Sequence, residues 1–250
     1  MSTGPVYEQM LNAKALGKKS LALLIDPDKS DLFQLAAHLQ SGQFEGLDYF
    51  FVGGSLITSD LLSETIRMVK NHSDLPVILF PGSNMHLDPQ ADAILFLSLI
   101  SGRNPEYLIG QHVVAAPVIK RTRVEVISTG YMVVDGGKPT TVSYMSHSAP
   151  IPADKPEIAA STAIAGEMLG MKTLYLDAGS GAERPVSGKM IRMTRNNIEA
   201  PLIVGGGIKN AEQALESWKA GADIIVVGNA AEKNYSLIPQ MLEKAGRISS

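Results

Sequence analysis

Short apolar runs alternate with amphipathic segments eight times along this chain, and that rhythm narrows the fold before any single residue is considered. A strand buried on both faces and followed by a helix belongs to a parallel sheet. The spacing predicts strands over 20–25, 49–52, 76–80, 93–97, 124–134, 173–176, 202–204 and 223–227. Helical spacing follows the first strand at Leu32, Leu35, Ala36 and Leu39, and the second at Leu62, Thr65, Ile66 and Val69. Ile158, Ser161, Ala165 and Leu169 make another helix face. Asn210 reads as an N-cap with Gln213 at the third helical position, and Ala211, Ala214, Leu215 and Trp218 share one side. Eight such repeats in 250 residues suit a closed barrel better than an open sheet. The expected fold is α/β: one (β/α)₈ TIM barrel over residues 1–250.

Four segments break the rhythm. Between Phe80 and Ala93 the chain is short and contains PGS and Pro89, so an irregular or extended crossover is expected in place of the third helix. Residues 113–119 read as a short extra strand or part of a loop. The turn Asp135-Gly136-Gly137-Lys138-Pro139 suggests a β-excursion on the rim. Residues 4–16 are expected to form a helix covering one barrel end.

Composition removes several functions. There are 22 basic and 25 acidic residues, a net charge of −3, which does not suit a nucleic-acid binder. The chain has no cysteine, which excludes disulfides, thiolate metal sites and a cysteine nucleophile. No signal peptide is visible in MSTGPVYEQM, and no apolar run reaches the ~18–20 residues that cross a bilayer. A cytoplasmic protein without a stable membrane anchor is the expectation.

In such barrels chemistry sits at the C-terminal ends of the strands. Those ends here are polar and rich in glycine: Asp26-Pro27-Asp28-Lys29, Gly53-Gly54-Ser55, Pro81-Gly82-Ser83, Asp177-Ala178-Gly179-Ser180-Gly181, Gly205-Gly206-Gly207 and Gly228-Asn229. Glycine lets backbone N–H groups approach an anion, and helix N-termini add partial positive charge, so the last three loops predict a phosphate site. Tight turns are the plainer use of those glycines. Pro27 turns Asp26 and Asp28 in different directions, one toward the mouth and the other toward capping the next helix. Asp26 with the Ser55 hydroxyl could hold a hard cation, or Asp26 could simply end its strand. Period two puts Tyr175 and Asp177 on one strand face. Asp177 is then a candidate general base, or else a helix cap. The histidines at 38, 72, 86, 112 and 147 lack paired metal spacing and read as surface or packing residues. Lys120-Arg121-Thr122-Arg123 reads as a solvated face, with diphosphate contact as the alternative.

Taken together, LLIDPDK (23–29), FVGGS (51–55), ILFPGS (78–83), YLDAGSGA (175–182), IVGGGI (203–208) and VVGNAAEK (226–233) are more specific than any one of them. Their order closely resembles the geranylgeranylglyceryl phosphate synthases and the related bacterial heptaprenylglyceryl phosphate synthases, from about residue 8 to residue 245. Residues 130–172 look like the geranylgeranyl-type branch. The resemblance implies a modified barrel lacking a regular third helix. It implies Mg²⁺-dependent transfer of a polyprenyl group from its diphosphate to the C3 hydroxyl of sn-glycerol 1-phosphate. It places the metal at Asp26 and Ser55. It places glycerol phosphate at Tyr175, Asp177, Ala178, Gly179, Ser180 and Gly181, then Gly206 and Gly207, then Gly228 and Asn229. Many members carry Glu where this chain carries Asp177, so the carboxylate here starts about one methylene further back. A homo-oligomer, dimer or hexamer, is implied as well.

The prenyl tail needs an apolar trough, and burial at ~0.8 kcal/mol per CH₂ makes that trough a large source of affinity. Leu95, Leu97, Leu99, Ile100 and Tyr107 are candidate lining residues. The competing functions are another phosphate-handling barrel enzyme, such as an isomerase or lyase on a sugar phosphate, and a non-catalytic phosphate-binding barrel.

Overall fold

Eight parallel strands pair in chain order, and the first closes on the last, in a computed structural model that describes residues 4–249. They are β1 (Ser20–Ile25), β2 (Tyr49–Gly54), β3 (Val77–Pro81), β4 (Ala93–Leu99), β5 (Glu125–Val133), β6 (Thr173–Asp177), β7 (Leu202–Gly205) and β8 (Ile224–Val227). The helices are α1 (Pro5–Ala15), α2 (Leu32–Gln40), α3 (Leu62–His72), α4 (Gln111–Ile119), α5 (Thr141–Ser146), α6 (Pro156–Met168), α7 (Gly188–Arg195), α8 (Ala211–Lys219), α9 (Asn229–Lys233) and α10 (Leu237–Ser249). The fold is the expected (β/α)₈ barrel.

Strand periodicity sorts the side chains into two cores. Ala22, Tyr49, Phe51, Ile78, Phe80, Leu95, Tyr131 and Tyr175 fill the barrel. Leu21, Leu23, Phe50, Val52, Leu79, Leu174 and Leu176 face the helices. Helix α1 covers the barrel floor as expected: Val6 and Met10 join the interior core, and the Glu125 carboxylate accepts the N–H groups of Val6 (2.8 Å) and Tyr7 (3.1 Å).

The floor carries a repeated clamp. An aspartate just before an even-numbered strand accepts an N–H at the start of the preceding odd-numbered one. Asp48 holds Leu21 N at 2.9 Å, Asp92 holds Val77 N at 2.8 Å and Asp223 holds Leu202 N at 2.8 Å. Each clamp has its own cation: Lys18, Lys70 and Arg195 respectively.

No helix forms between β3 and β4, in agreement with the expectation for 81–92. Residues 113–119 are a correction: they belong to α4, entered through one turn of π-helix at Glu106–Gly110. Their β-branched run and Pro117 suggest strand or loop, but His112, Ala115 and Ile119 fall on one buried helical side. Tertiary packing overrides local propensity there. The rim excursion is also corrected. It contains the single bridge Val134–Ile151 and the short helix α5 rather than paired strands. Ser143 Oγ accepts the Thr140 N–H at 3.1 Å and so starts that helix. On α6 the predicted face is the outer one. Ile158, Ser161, Ala165 and Leu169 are exposed, while Ala159, Ala160, Ala163 and Gly166 pack inward. Small residues are needed there because a Cβ on Gly166 would stand only 2.8 Å from Ile100. Asn210 caps α8 by accepting the Gln213 N–H at 2.9 Å.

Candidate active site

Asp177 ends β6 on the barrel-interior side, below the mouth. One oxygen accepts the Gly179 N–H at 2.7 Å, and the other accepts the Tyr131 hydroxyl at 2.5 Å. Burial raises the Asp177 pKa, and both hydrogen bonds oppose that rise. Tyr131 and Tyr175 are directly opposite in the β5–β6 register. Burial, and then the Asp177 charge, hold both phenols protonated far above their usual range. Phe80 completes an aromatic cluster, 5.8 Å from Tyr131 and 5.6 Å from Tyr175 by ring centroid.

Around Asp177 lies a polar cavity, open to solvent at the mouth. Tyr175, Asp177, Gly179, Ser180, Gly181, Gly206, Gly207, Gly228 and Asn229 line it, as do Asp26 and Ser55. All the sequence-predicted site residues therefore converge except Ala178. That residue is buried behind the wall, with its N–H donated to Gly205 O at 3.1 Å. Gly206 must be glycine: φ is +76°, and a Cβ there would overlap the Asp177 carboxylate and the N–H groups of Ala178 and Gly179. Ser180 Oγ donates to Asn229 Oδ1 at 3.2 Å and ties the β6 loop to the β8 loop. The arrangement brings the backbones of three neighbouring glycine-rich loops to one side of the cavity.

Asp26 and Asp28 diverge as expected, but neither caps α2; Asp31 does, accepting from Phe33 N and Gln34 N. Asp28 instead accepts the N–H and hydroxyl groups of Thr58 and Ser59, which fastens the β1 loop to the β2 loop. Those bonds, the Ser59 hydroxyl foremost, hold its carboxyl well below the usual range. Asp26 Oδ1 accepts the Asp28 N–H at 3.1 Å, and Oδ2 is ion-paired to Lys29. Glu232 accepts the Asp26 N–H at 3.2 Å, and burial pushes its pKa up.

A second, apolar cavity runs outward from the mouth. It occupies the sector left empty by the missing third helix. Ile94 and Phe96, on the helix-facing side of β4, form its floor, with Leu87, Leu97, Leu99, Tyr107 and Ala115 around it. Leu97, Leu99 and Tyr107 are thus correctly anticipated. Leu95 points into the barrel and Ile100 packs beside Gly130 and Gly166, so neither lines the trough. The two cavities share Gly54, Ser55 and Phe80. The Lys120, Arg121 and Arg123 side chains are exposed where the chain leads into the start of β5, at the opposite end of the barrel, so they face solvent away from any diphosphate.

Sequence reasoning missed Lys29, Glu232 and Tyr131. The first two lie inside quoted motifs but carry no spacing rule of their own. Tyr131 could have been found by extending the period-two argument from β6 to its neighbour.

The PcrB family model matches residues 14–245. A geranylgeranylglyceryl phosphate synthase from Chitinophaga pinensis is 54% identical over 241 residues, covering 95% of this chain and 94% of that one. One from Pyrococcus horikoshii is 43% identical, with 92% and 90% covered. The crystal structure of (S)-3-O-geranylgeranylglyceryl phosphate synthase from Thermoplasma acidophilum, in complex with substrate sn-glycerol-1-phosphate, superposes with a TM-score of 0.90 at 35% identity over 99% of this chain and all of that one. Agreement of this extent in sequence and in barrel architecture means that the chain belongs to the PcrB family.

Proposed function

We propose that this protein transfers a geranylgeranyl group from geranylgeranyl diphosphate to the C3 hydroxyl of sn-glycerol 1-phosphate. The C3 oxygen bonds to the allylic C1 carbon, the bond from C1 to the diphosphate oxygen breaks, and the hydroxyl proton leaves. The observation that carries this reading is the shared edge of the two cavities at Gly54, Ser55 and Phe80. A chamber walled by polar loops and an apolar trough that meet at one edge suit a reaction joining a polar phosphate to a lipid tail. The names of the relatives and the ligand of the Thermoplasma acidophilum structure support it.

The loops at 179–181, 206–207 and 228–229 hold the phosphate, and Tyr175 borders the glycerol. Asp177 takes the C3 hydroxyl proton as the ether bond forms. Tyr131 fixes that carboxylate, and the rings of Phe80, Tyr131 and Tyr175 exclude water and offer π-faces to the positive charge developing at C1. Held in line, the reactants need little further activation.

Mg²⁺ fits the mouth. Asp26 already carries a cation there in the form of the Lys29 ammonium. Among the described residues no cluster of three or more His, Cys, Asp or Glu side chains forms a metal cage. One carboxylate, the Ser55 hydroxyl and substrate phosphate oxygens form a donor set of the kind Mg²⁺ prefers. Bound there, it would neutralise the departing diphosphate. The apolar outer side of α4 and of the turn before it, with Ile109, Val113, Val114 and Val118 exposed, supports a homo-oligomer. No helix among the described residues is long and apolar enough to cross a membrane.

A transfer assay with geranylgeranyl diphosphate and Mg²⁺ tests the reading. Product is expected with sn-glycerol 1-phosphate, not with the 3-phosphate enantiomer, and not after Asp26→Asn. Absence of product with geranylgeranyl, farnesyl and longer diphosphates would overturn it.

A further inference from the structure

The Lys29 ammonium sits on Asp26 Oδ2, inside the mouth of the polar cavity. A tight turn fixes the pair, since Lys29 N–H donates to Asp26 O at 3.0 Å. The Asp26 side chain is 10% exposed and that of Lys29 is 51% exposed. One end of the ion pair is therefore anchored while the other lies at the solvent edge. Asp26 Oδ1 is held by the backbone at Asp28, so Oδ2 is the oxygen available to a ligand. Gly54 approaches this side of the carboxylate: a Cβ there would stand 3.3 Å from Oδ2. Glu232 lies against the Asp26 backbone and adds a second negative group.

A divalent cation on Oδ2 would touch the ammonium, and like charges at contact exclude one another. The lysine is the member that can leave. Its four-carbon stem is flexible, its head is half in water, and its main chain stays in the turn. The cavity it lines is where the diphosphate must lie, and an ammonium binds phosphate as a point charge.

We propose that Lys29 is a displaceable counter-ion, which holds the Asp26 carboxylate until a divalent cation takes it and then carries its charge to the diphosphate. The inference rests on the metal site proposed above. It makes Lys29 a competitor of the metal and an ally of the diphosphate. Metal and diphosphate must then strengthen each other's binding, because each favours the swung-out lysine.

The experiment is titration of the protein with Mn²⁺, followed by electron paramagnetic resonance, with and without inorganic pyrophosphate. Lys29→Met keeps the stem and removes the charge. It is expected to bind Mn²⁺ about five- to tenfold more tightly than wild type without pyrophosphate. It should bind pyrophosphate more weakly in the presence of Mn²⁺, so that the coupling shrinks. Lys29→Arg keeps the charge and should stay near wild type. Equal Mn²⁺ affinity in Lys29→Met and wild type would overturn the displacement. If neither protein binds Mn²⁺, the metal site itself fails and this inference fails with it. The transfer assay, run with and without metal, reports separately on the reaction.

Discussion

A buried carboxylate that must accept a proton works only when it is ionised, and the surroundings of Asp177 resist ionisation. Burial raises its pKa, while the Tyr131 hydroxyl and the Gly179 N–H lower it. The acid limb of the pH–kcat profile should therefore lie above the ordinary carboxylate range, with activity lost as pH falls through the raised pKa. Tyr131→Phe removes one of the two opposing bonds and should move that limb to higher pH. Asp177→Asn should lower kcat by about 10²–10⁴-fold. The folded pKa exceeds the unfolded one, so the ionised group costs stability that grows as pH rises between the two values. The same Asn variant should consequently melt no lower than wild type at neutral pH. Strand period alone brings Tyr175 and Asp177 together, because a five-residue strand fixes which side chains share a face. The same period applied to the neighbouring strand reaches Tyr131, and only the pairing register shows that its hydroxyl is the nearest control on Asp177. Ala178 shows the converse limit: it lies in the right motif, yet its strand-end geometry turns it into the wall.

At the level of elements, the instructive feature is a helix that is missing and another that sequence does not announce. Prolines and glycine between β3 and β4 make the missing third helix legible. Helix α4 was not legible. Its valines and Pro117 disfavour an isolated helix, and only the packing of His112, Ala115 and Ile119 selects that conformation. The error on α6 has a related cause. Large apolar residues ordinarily face inward, but the closest contact with the barrel is made by Ala159, Ala160, Ala163 and Gly166, so Ile158, Met168 and Leu169 are left outside. Ala115 is the small residue through which α4 borders the trough. Ala115→Trp should fill part of that space. The expected result is a KM for geranylgeranyl diphosphate raised about tenfold or more. KM for glycerol 1-phosphate should be unchanged, because the side chain does not line the polar cavity.

For the molecule as a whole, closure of the barrel depends on the floor as well as on the strand ladders. Asp48, Asp92 and Asp223 each tie two neighbouring strands before either begins its run. Of the three ion pairs, that of Asp223 with Arg195 is the most enclosed. The Asp223 carboxylate holds Leu202 N and pairs with Arg195 at 2.9 Å, with side-chain exposures of 11% and 18%. Asp223→Ala leaves the Leu202 N–H unmatched and the Arg195 guanidinium, still bonded to the Ala200 and Ile198 carbonyls, without its counter-charge. A loss of about 3 kcal/mol is expected in denaturant unfolding, far from the mouth and with little change in KM. The repeat GLD, QAD and GAD ahead of three even-numbered strands is visible in the sequence. Its purpose is not, because the bond it makes is to a different strand. The edge shared by the two cavities has a kinetic consequence. Before reaction, each substrate occupies one chamber and can leave alone. Afterwards a single molecule is moored in both, each half held at the effective concentration set by the other. Departure of the finished lipid, rather than the making of its ether bond, is therefore expected to set the pace, and a burst of product in the first turnover is the measurement that checks it.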